Sequence, residues 1–570
     1  MRLQNNFEEA ETPTKEVQRT KDEYIFFQTS LLQSLLDAVV CKVCFSHRIE
    51  ANIIDVNCGF AKKIEIICRN CEESGLNATI SSTLTSNNNR NELQSNQTSS
   101  PFDINIRISI AFLEMGKNYA GIELFSMIMN MKPFSKTSFH KYLDTINNSV
   151  NKKLDEILET ARSKVKKKYF VENIESQEMT NITVSYDGSW LTRGHTSLLG
   201  VGCVIDVLTG YVIDFEIMTK YCHECVMAKF ELGEESAEFF MWMESHQSSC
   251  QINHTGSSGA MEMTAAVDIW RRSEKFGFRY STMLSDGDSK TLSHLNEMEV
   301  YGKDFIIQKE ECINHVKKRQ LGTALRDIVK LWRNRGVTLG GRMYGALKGT
   351  TIDKLCKYYQ AAIYRNKNDV TAMKNEIMAI IYHGVSTDEN PQHQFCPAGE
   401  NSWCFYQTAK ARGVRTGLHI KNIGTPINKL VFDKILPVFV RLSDESLLSR
   451  CTQGRTQNAN ECLHSLIWNK CPKEIFVSKK RLQIAVAEAI SQYNDGFRKS
   501  TFAFLESLNF SLGTVGDKIA HRRDQKRAKQ GKDRNNKMYQ KVRKAKNIMR
   551  KRIDKALEDS EGVTYKAGAF

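Results

Sequence analysis

Apolar residues alternate with polar ones along residues 182–186, and this period of two predicts a β-strand with one buried face. The strand ends at Asp187. A second apolar run, residues 279–285, predicts another strand that ends at Asp286. Mg²⁺ prefers hard oxygen ligands and usually takes only one or two carboxylates from a protein. The two strand ends therefore predict a magnesium site.

The neighbouring patterns predict a sheet around these two strands. Residues 198–220 predict a hairpin whose turn is the Leu-Thr-Gly of residues 208–210, so strand 182–187 and the hairpin form three sequential antiparallel strands. A helix follows, then strand 279–285, then a further strand at 303–310. Acidic residues on the first and fourth strands of this order indicate a ribonuclease-H-like mixed sheet of the α/β class.

Helical spacing covers much of the remaining chain. Residues 103–147 predict two or three short helices, which form either a helix-turn-helix or an ordinary helical support. Residues 151–170 predict a charged amphipathic helix that leads into the sheet. Residues 319–380 are helical in pattern and predict an insertion within the sheet domain.

A third candidate carboxylate, Glu461, lies in the first turn of a predicted helix. Leu463, Leu466 and Ile467 form the core-facing stripe of this helix, and Glu461 stands off that stripe. A ribonuclease-H-like plan requires an acid on a helix that faces the sheet. The alternative is structural, because Asn458 and Glu461 have the spacing of a capping arrangement.

Two nearby groups leave more than one interpretation open. Asp288 is an alternative to Asp286, but Asp288 or Ser289 is well placed to cap the following helix, which favours Asp286 as the metal ligand. Further along, Cys312 and His315 are spaced Cys-x-x-His. This pair either binds a metal, orients a nucleic acid or packs in the core.

The chain holds 16 cysteines among 570 residues, and its N-terminus has no apolar segment typical of a secretory signal. This usage favours metal ligation in a reducing compartment over disulfides. Two Cys-x-x-Cys pairs separated by 23 residues supply four thiolates for a tetrahedral zinc site: Cys41, Cys44, Cys68 and Cys71. Alternating apolar residues between the pairs predict hairpin strands, so residues 36–72 are predicted to form a zinc ribbon.

Two further Cys/His groups have spacings that suit zinc. The second group comprises Cys222, Cys225, His246 and Cys250, with His254 as an alternative ligand. The third group comprises His383, His393, Cys396 and Cys404. The structural alternatives are buried cysteines beside a flexible loop for the second group, and a loop stiffened by Pro and Gly for the third.

The net charge of +15 is concentrated in one segment. Between Arg522 and Lys555 there are 16 Lys/Arg and 3 Asp/Glu, a net charge of +13 that leaves about +2 for the remainder. Such a segment neutralises phosphates without sequence preference or serves as a nuclear import signal; the alternative is a solvated helix or a disordered tail. No run of about 18 apolar residues occurs, so we predict no membrane-spanning helix.

These patterns together predict seven regions. They are a disordered N-terminus (1–35), the zinc ribbon (36–72), a Ser/Asn/Thr-rich linker (73–101), a helical region (102–175), the ribonuclease-H-like domain (176–318 and 450–512), its helical insertion (319–449) and the basic tail (513–570).

Six motifs, taken in order, resemble those of the Mutator-like element transposases found in animal genomes. They are YDGSW, YCHEC, NHTGSSGAME, SDGDSKT, ECINH and TQNANECLHSLIWNKCP. The resemblance implies a ribonuclease-H-like catalytic domain whose Asp, Asp, Glu triad matches Asp187, Asp286 and Glu461, with an all-helical insertion before the Glu. The TQNANE context favours Glu461 over Glu445 as the third acid.

The resemblance also implies a reaction and its partners. Cys312 and His315 match the Cys-x-x-His of these transposases, and the zinc ribbon matches their N-terminal zinc-bearing DNA-binding modules. The implied reaction is two-metal phosphoryl transfer with Mg²⁺ or Mn²⁺: water nicks the end of the element, and the freed 3′-hydroxyl attacks target DNA. The expected partners are double-stranded DNA, at terminal inverted repeats and targets, and further copies of the chain in the nucleus.

Two other functions compete with this one at the level of sequence. The first is a domesticated, catalytically inactive nuclear protein that binds DNA through its zinc modules and basic tail. The second is a ribonuclease-H-like nuclease that cuts RNA hybrids. Metal-dependent nicking of terminal-repeat DNA, and a comparison of hybrid with duplex substrates, separate the three.

Overall fold

The structure is a computed structural model. It describes residues 26, 28–54, 59–71, 78–81, 101–172, 179–192, 196–286, 290–473 and 477–536, together with scattered positions from 538 to 556. The predictions for residues 1–25, for most of the linker and for Asp288 lie outside these residues. The chain divides into two compact units: unit 1 comprises Met1–Ile157, Ile467–Pro472 and Lys480–Phe570, and unit 2 comprises Leu158–Leu466 and Lys473–Lys479.

The first half of the described chain mixes strands and helices. In order, the elements are α1 (Thr29–Asp37), β1 (Ile49–Ile54), β2 (Lys63–Cys68), β3 (Ala78–Ser81), α2 (Asp103–Glu114), α3 (Tyr119–Ile128), α4 (Lys136–Glu172), β4 (Thr180–Trp190), β5 (Leu199–Asp206), β6 (Val212–Thr219), α5 (His223–Leu232), α6 (Ala237–His246), α7 (Ala260–Ser273), β7 (Phe278–Ser285), α8 (Lys290–Glu297) and β8 (Gln308–Glu311).

The second half is helical among the residues that the structure describes. Its elements are α9 (Ile313–His315), a π-helix (Val316–Thr323), α10 (Ala324–Asn334), α11 (Gly349–Arg365), α12 (Val370–Val385), α13 (Phe405–Ala411), α14 (His419–Asn422), α15 (Lys429–Leu442), α16 (Glu445–Ser449), α17 (Asn458–Lys470), α18 (Lys479–Asp495), α19 (Phe497–Ser507) and α20 (Gly513–Asn535). No described helix has the length and apolar character needed to cross a membrane.

Unit 1 contains a small antiparallel sheet with the strand order β1-β2-β3. Helix α1 packs beside it, where the Nε2 group of Gln33 donates a hydrogen bond to the carbonyl of Ile49 at 2.9 Å. The third strand, Ala78–Ser81, falls within the predicted linker, so the structure differs there from the sequence analysis. The Ser/Asn/Thr-rich composition of residues 73–101 does not predict this four-residue strand. The strand forms through backbone hydrogen bonds to β2, and composition does not record these bonds.

The start of the basic tail is an ordered helix that packs on α19. Helix α20 presents Asp524 to the N-terminus of α19, and its carboxylate accepts hydrogen bonds from the backbone N–H groups of Phe497 and Arg498 at 2.8 and 2.9 Å. A carboxylate at this position satisfies donors that have no partner within their own helix. Residues 513–535 are therefore built into unit 1.

Unit 2 is organised around a five-stranded mixed sheet with the order β6-β5-β4-β7-β8. The pairs β4–β5 and β5–β6 are antiparallel, whereas β4–β7 and β7–β8 are parallel. This arrangement confirms the mixed α/β class. All eight residues of β5 are buried, because helices or other strands cover the sheet at this position.

Helix α7 supplies the core on one face of this sheet. The ring of Trp270 packs edge-on against Tyr186 and Tyr280, with centroid distances of 5.5 and 5.2 Å. Further out, Trp190 lies across Gly200, where an added Cβ would come within 1.9 Å of the indole ring. Gly200 thus gives an aromatic side chain room to lie flat on the strand.

The last strand is shorter than the predicted span of 303–310. Strand β8 begins only at Gln308, because the N–H of Ile307 donates to the Oδ1 of Asn296 in helix α8 at 3.0 Å instead of pairing with β7. Helices from α9 to α16 enclose a separate hydrophobic core that includes Leu355, Tyr359 and Phe439. The described secondary structure of the predicted insertion is helical, and loops join its helices, the longest at residues 386–404.

Candidate active site and metal clusters

A β-bulge sets the register between the strands that carry Asp187 and Asp286. The prediction that the first strand ends at Asp187 was wrong, because β4 continues to Trp190 through its pairing with β5. Only Asp286 directly follows the end of its strand. In the parallel pair of β4 and β7, Ile182 is level with Tyr280, but Thr183 is level with Thr282, so β7 carries one extra residue. A one-residue bulge reverses which face the following side chains point to. Beyond it, Ser185 is level with Leu284. Strand β7 ends at Ser285, and a continuation of this register by two residues would set Asp187 level with Asp286.

The alternation of side chains shows which face of the sheet Asp187 occupies. Tyr186 points to the face covered by α7, where it contacts Trp270. Adjacent residues in a strand point to opposite faces, so Asp187 and Ser185 share the other face. The bulge gives Asp286 the same orientation. Both carboxylates therefore belong to the face of the sheet that α7 leaves uncovered.

Helix α17 is anchored on this second face by two buried amides. The Oγ of Ser185 donates to the Oδ1 of Asn460 at 2.6 Å, and the Nδ2 of Asn460 donates to the carbonyls of Ser185 and Cys203, both at 3.3 Å. The Nε2 of Gln457 donates to the carbonyl of Tyr186 at 2.8 Å. These contacts fix the first turn of α17 directly beside the residues that precede Asp187.

Glu461 follows Asn460 in this first turn and is exposed. Burial raises the pKa of the nearby Cys312 thiol, and the charge of Glu461 raises it further. Asp187, Asp286 and Glu461 are not among the groups of described residues whose ligand atoms all lie within 4.8 Å of one another. The structure thus brings the three supporting elements together, while the three carboxylates do not form a closed cluster.

Positively charged and histidine side chains surround the two aspartates. The Nδ1 of His464 lies 3.4 Å from the Oδ2 of Asp187, and the Nδ1 of His315 lies 3.5 Å from the Oδ2 of Asp286. Arg319 places its Nη1 3.0 Å from the same Asp286 oxygen. The sequence analysis missed His464, although its position one turn after Glu461 on a sheet-facing helix is a usable signal.

Cys312 and His315 occupy different environments. The buried Sγ of Cys312 accepts a hydrogen bond from the backbone N–H of Gln457 at 3.3 Å, so this thiol helps to hold the start of α17. His315 faces Asp286 instead. The alternative acid, Glu445, forms an exposed ion pair with Lys374 of α12 at 2.9 Å.

The first Cys cluster brings four thiols together: Cys41, Cys44, Cys68 and Cys71, whose sulfur atoms all lie within 4.8 Å of one another. Hydrogen bonds from backbone N–H groups of Cys44 and Val43 lower the pKa of Cys41 to about 6. The neighbouring thiol of Cys44 raises the pKa of Cys71 to about 12. The cluster therefore favours the thiolate form of Cys41 and disfavours that of Cys71. A divalent cation would stabilise both thiolates, because its positive charge offsets their mutual repulsion.

The second cluster consists of Cys222, Cys225, His246 and Cys250, again within 4.8 Å. Burial opposes ionisation of Cys222, but backbone N–H groups and His246 outweigh it and lower the pKa of this thiol to about 7. The alternative ligand, His254, is engaged elsewhere: its Nε2 lies 3.0 Å from the carbonyl of Ser257.

The third cluster joins His383, His393, Cys396 and Cys404 at the same mutual distances. The Nδ1 of His393 faces the Cys404 sulfur at 3.4 Å, while its Nε2 lies 2.9 Å from the Nε2 of His419. The Nδ1 of His419 in turn lies 2.7 Å from the Oδ1 of Asp388. This hydrogen bond from His419 lowers the pKa of Asp388.

Each of these three clusters offers four soft or borderline ligands in a compact group, which is the donor set that structural zinc sites use. The clusters could therefore hold zinc. The residues that the structure describes thus define an α/β protein with three candidate zinc sites and a polar face at the ends of two parallel strands.

Comparison with known protein families shows which family the chain belongs to. A family model for Mutator-like transposases matches residues 23–404, which is more than half of the 570 residues. The chain belongs to the Mutator-like transposase family, and this confirms the resemblance of the sequence motifs. Membership suggests an enzyme that processes nucleic acid and implies DNA binding. No curated protein matches the chain.

Proposed function

We propose that the protein is a DNA transposase whose ribonuclease-H-like domain comprises residues 176–318 and 450–512. The strand order β6-β5-β4-β7-β8 supports this, because three sequential antiparallel strands, a helix and further strands in one mixed sheet is the plan that the sequence suggested. The helices from α9 to α16 enter between β8 and α17, as an insertion ahead of Glu461.

The observation that carries the proposal is the shared face of the sheet. Ser185 and Leu284 are level in the two parallel strands, Asp187 and Asp286 each follow two residues later, and Asn460 docks the first turn of Glu461's helix against Ser185. Carboxylate oxygens suit Mg²⁺ or Mn²⁺. The placement of Arg319 against Asp286 is consistent with a demand for positive charge at this position.

Bound divalent ions activate the attacking oxygen and stabilise the leaving one. The chain itself holds and orients the ligands for them. Asp187 is fixed by its strand and by His464, Asp286 is fixed by the bulged strand and by His315, and Glu461 is carried by the anchored helix. The reaction they serve is nicking of an element end by water, followed by attack of the freed 3′-hydroxyl on target DNA.

Other parts of the chain would find the DNA. We assign recognition of terminal inverted repeats to the zinc ribbon (36–72) and the helical region (102–175). The basic tail (513–570) adds salt-dependent affinity without sequence preference. Zn²⁺ in the first cluster would stabilise the zinc ribbon, whereas Zn²⁺ in the second and third clusters would stabilise the ribonuclease-H-like domain and its helical insertion. Joining two ends requires more than one copy of the chain, acting in the nucleus.

The test is a nicking and strand-transfer assay of the full-length protein with Mg²⁺, on duplexes from the inverted repeats that flank its coding region. We expect Asp187→Asn, Asp286→Asn and Glu461→Gln each to lose about a thousandfold or more in rate, because metal-bound charge stabilisation is worth several kcal/mol. Glu445→Gln is the matched control and should cut like the wild type.

Each outcome separates the candidates. Wild-type rates in the three variants would overturn the assignment of the carboxylates. Tight DNA binding by the wild type, with no cleavage in Mg²⁺ or Mn²⁺, would favour a domesticated binding protein. Faster cutting of an RNA–DNA hybrid than of duplex DNA would favour a nuclease that acts on hybrids.

A further inference from the structure

An exposed loop of the helical insertion carries three side chains that the proposed reaction does not use. The tip loop, residues 339–348, is the second part of the connection between α10 and α11 in unit 2. Its apex consists of Arg342, Met343 and Tyr344, and the last two are 67% and 58% exposed. Loop tips often carry binding residues, so two adjacent large side chains with this exposure form a candidate interaction site.

The base of the tip loop is closed and fixed. Leu339 and Leu347 are buried, and the N–H of Leu347 donates to the carbonyl of Leu339 at 2.8 Å. Gly345 has a φ of +70°, and a Cβ there would lie 2.3 Å from the backbone nitrogen of Asn428. That nitrogen donates to the carbonyl of Gly345 at 3.0 Å. The apex therefore projects from a rigid support.

The stretch of chain that contains the tip loop is basic, and Asp327 and Asp353 lie at its two borders. From residue 328 to residue 352 the chain has five basic residues and no acidic one. The five are Lys330, Arg333, Arg335, Arg342 and Lys348, all exposed. Lys434 of α15 adds charge nearby, because its Nζ lies 3.9 Å from the ring centroid of Trp332.

This combination favours nucleic acid over protein as the partner. Clustered Lys and Arg neutralise phosphates, whereas the core of a protein interface is depleted of charge. Exposed aromatic rings stack on bases that have lost a neighbour, and Met is among the residues that wedge between base steps. Both kinds of side chain stand together at the apex.

We infer that the tip loop is a DNA contact that engages an exposed base face, and this inference rests on the proposed function. Tyr344 stacks on the base, Met343 fills the space beside it and Arg342 pairs with the adjacent phosphate. The site thus recognises distorted or interrupted duplex, such as a nicked or gapped end, in preference to intact duplex.

The test compares dissociation constants of the full-length protein, without added magnesium, for an intact duplex and for the same duplex lacking a single nucleotide. We expect Tyr344→Ala to weaken binding to the gapped duplex about tenfold, the size of one stacking contact, and to leave the intact duplex nearly unchanged. Tyr344→Phe keeps the ring and should bind like the wild type. Arg342→Gln should weaken both complexes and make the salt dependence shallower.

Tyr364→Ala is the matched control. Tyr364 is 40% exposed and lies on α11, about 22 Å along the helix from Gly349. We expect this variant to bind both duplexes like the wild type. A uniform loss of affinity in Tyr364→Ala and Tyr344→Ala alike would contradict a specific role for the tip.

The outcomes separate this inference from the proposed function. If Tyr344→Ala binds the gapped duplex like the wild type while the protein still nicks repeat ends, the inference fails alone and the apex belongs to a protein contact. If Tyr344→Ala is selectively weakened but no nicking occurs, the proposed function fails alone. A wild type that binds neither duplex overturns both.

Discussion

At the scale of single residues, Asp187 is held from two sides. Its strand fixes the backbone, and His464 on α17 approaches the carboxylate with its Nδ1 3.4 Å from Oδ2. The ring of His464 is buried. A buried ring beside a carboxylate can orient it without touching the substrate, so under the proposed function we regard His464 as a positioning residue for Asp187.

Removal of this ring is expected to affect the reaction more than the fold. We predict that His464→Ala lowers the nicking rate about 10- to 100-fold and raises the Mg²⁺ concentration needed for half-maximal activity, because Asp187 loses its orientation. DNA affinity should stay at the wild-type level. Ser465→Ala, an exposed change on the same helix, is the control. An unchanged Mg²⁺ requirement would contradict the positioning role.

The sequence predicts some of these residues because strand periodicity is local. The alternation in residues 182–186 leads directly to Asp187. The bulge that orients Asp286 is not visible in this way, because it appears only when β7 is paired with β4. His464 was missed for a similar reason: its role depends on which face of α17 docks on the sheet.

At the scale of elements, the third cluster has an outer layer of hydrogen bonds. If a metal occupies the Nδ1 lone pair of His393, the Nε2–H of that ring can donate to His419, whose Nδ1–H donates to Asp388. The Oγ of Ser386 also lies 3.0 Å from the Nε2 of His393 and is a second partner for that ring. Such outer partners fix the orientation of a metal-binding imidazole. The segment from α12 to α14 is therefore tied together around one site.

Zinc release tests this outer layer. We predict that His419→Ala releases one of three zinc equivalents at a chelator concentration about 10- to 100-fold lower than the wild type requires. A colorimetric zinc indicator measures the release. His294→Ala, a change on α8 outside the three clusters, should match the wild type. If all three equivalents leave the His419→Ala variant as they leave the wild type, the outer layer has no role in metal retention.

Strands and helices with a strong local pattern of apolar residues can be predicted from the sequence, whereas very short strands cannot. The hairpin of β5 and β6 follows from its apolar run and its turn. Strand β3 lies in a Ser/Asn/Thr-rich segment and depends on β2 for its hydrogen bonds. The three Cys and His clusters that could hold zinc were predictable from spacing, because each cluster draws its members from one local segment of the chain.

At the scale of the whole molecule, charge is unevenly distributed. The segment from Arg522 to Lys555 carries a net +13, from 16 basic and 3 acidic residues. Its first part belongs to α20, where Asp524 caps α19. The basic segment therefore has an anchored portion and a portion beyond residue 535, which a deletion can separate.

Deletion of residues 536–570 is expected to weaken binding to all duplexes alike. The deletion removes 10 Lys/Arg and 4 Asp/Glu and leaves the Asp524 cap intact. We predict that the slope of log K against log salt becomes shallower by about 0.9 for each phosphate that the shortened chain no longer neutralises. Titrations at several salt concentrations measure this slope. A weakening confined to one DNA sequence would contradict a non-specific role.

The central claim is that Asp187, Asp286 and Glu461 share divalent ions, and affinity cleavage tests it most directly. Fe²⁺ replaces Mg²⁺ in the full-length protein, and ascorbate with peroxide then cuts the backbone near each bound iron. We predict cuts near all three residues, suppressed by excess Mg²⁺ and absent in Asp187→Asn. Cuts near Asp187 and Asp286 with none near Glu461, or cuts that Mg²⁺ does not suppress, would contradict the account.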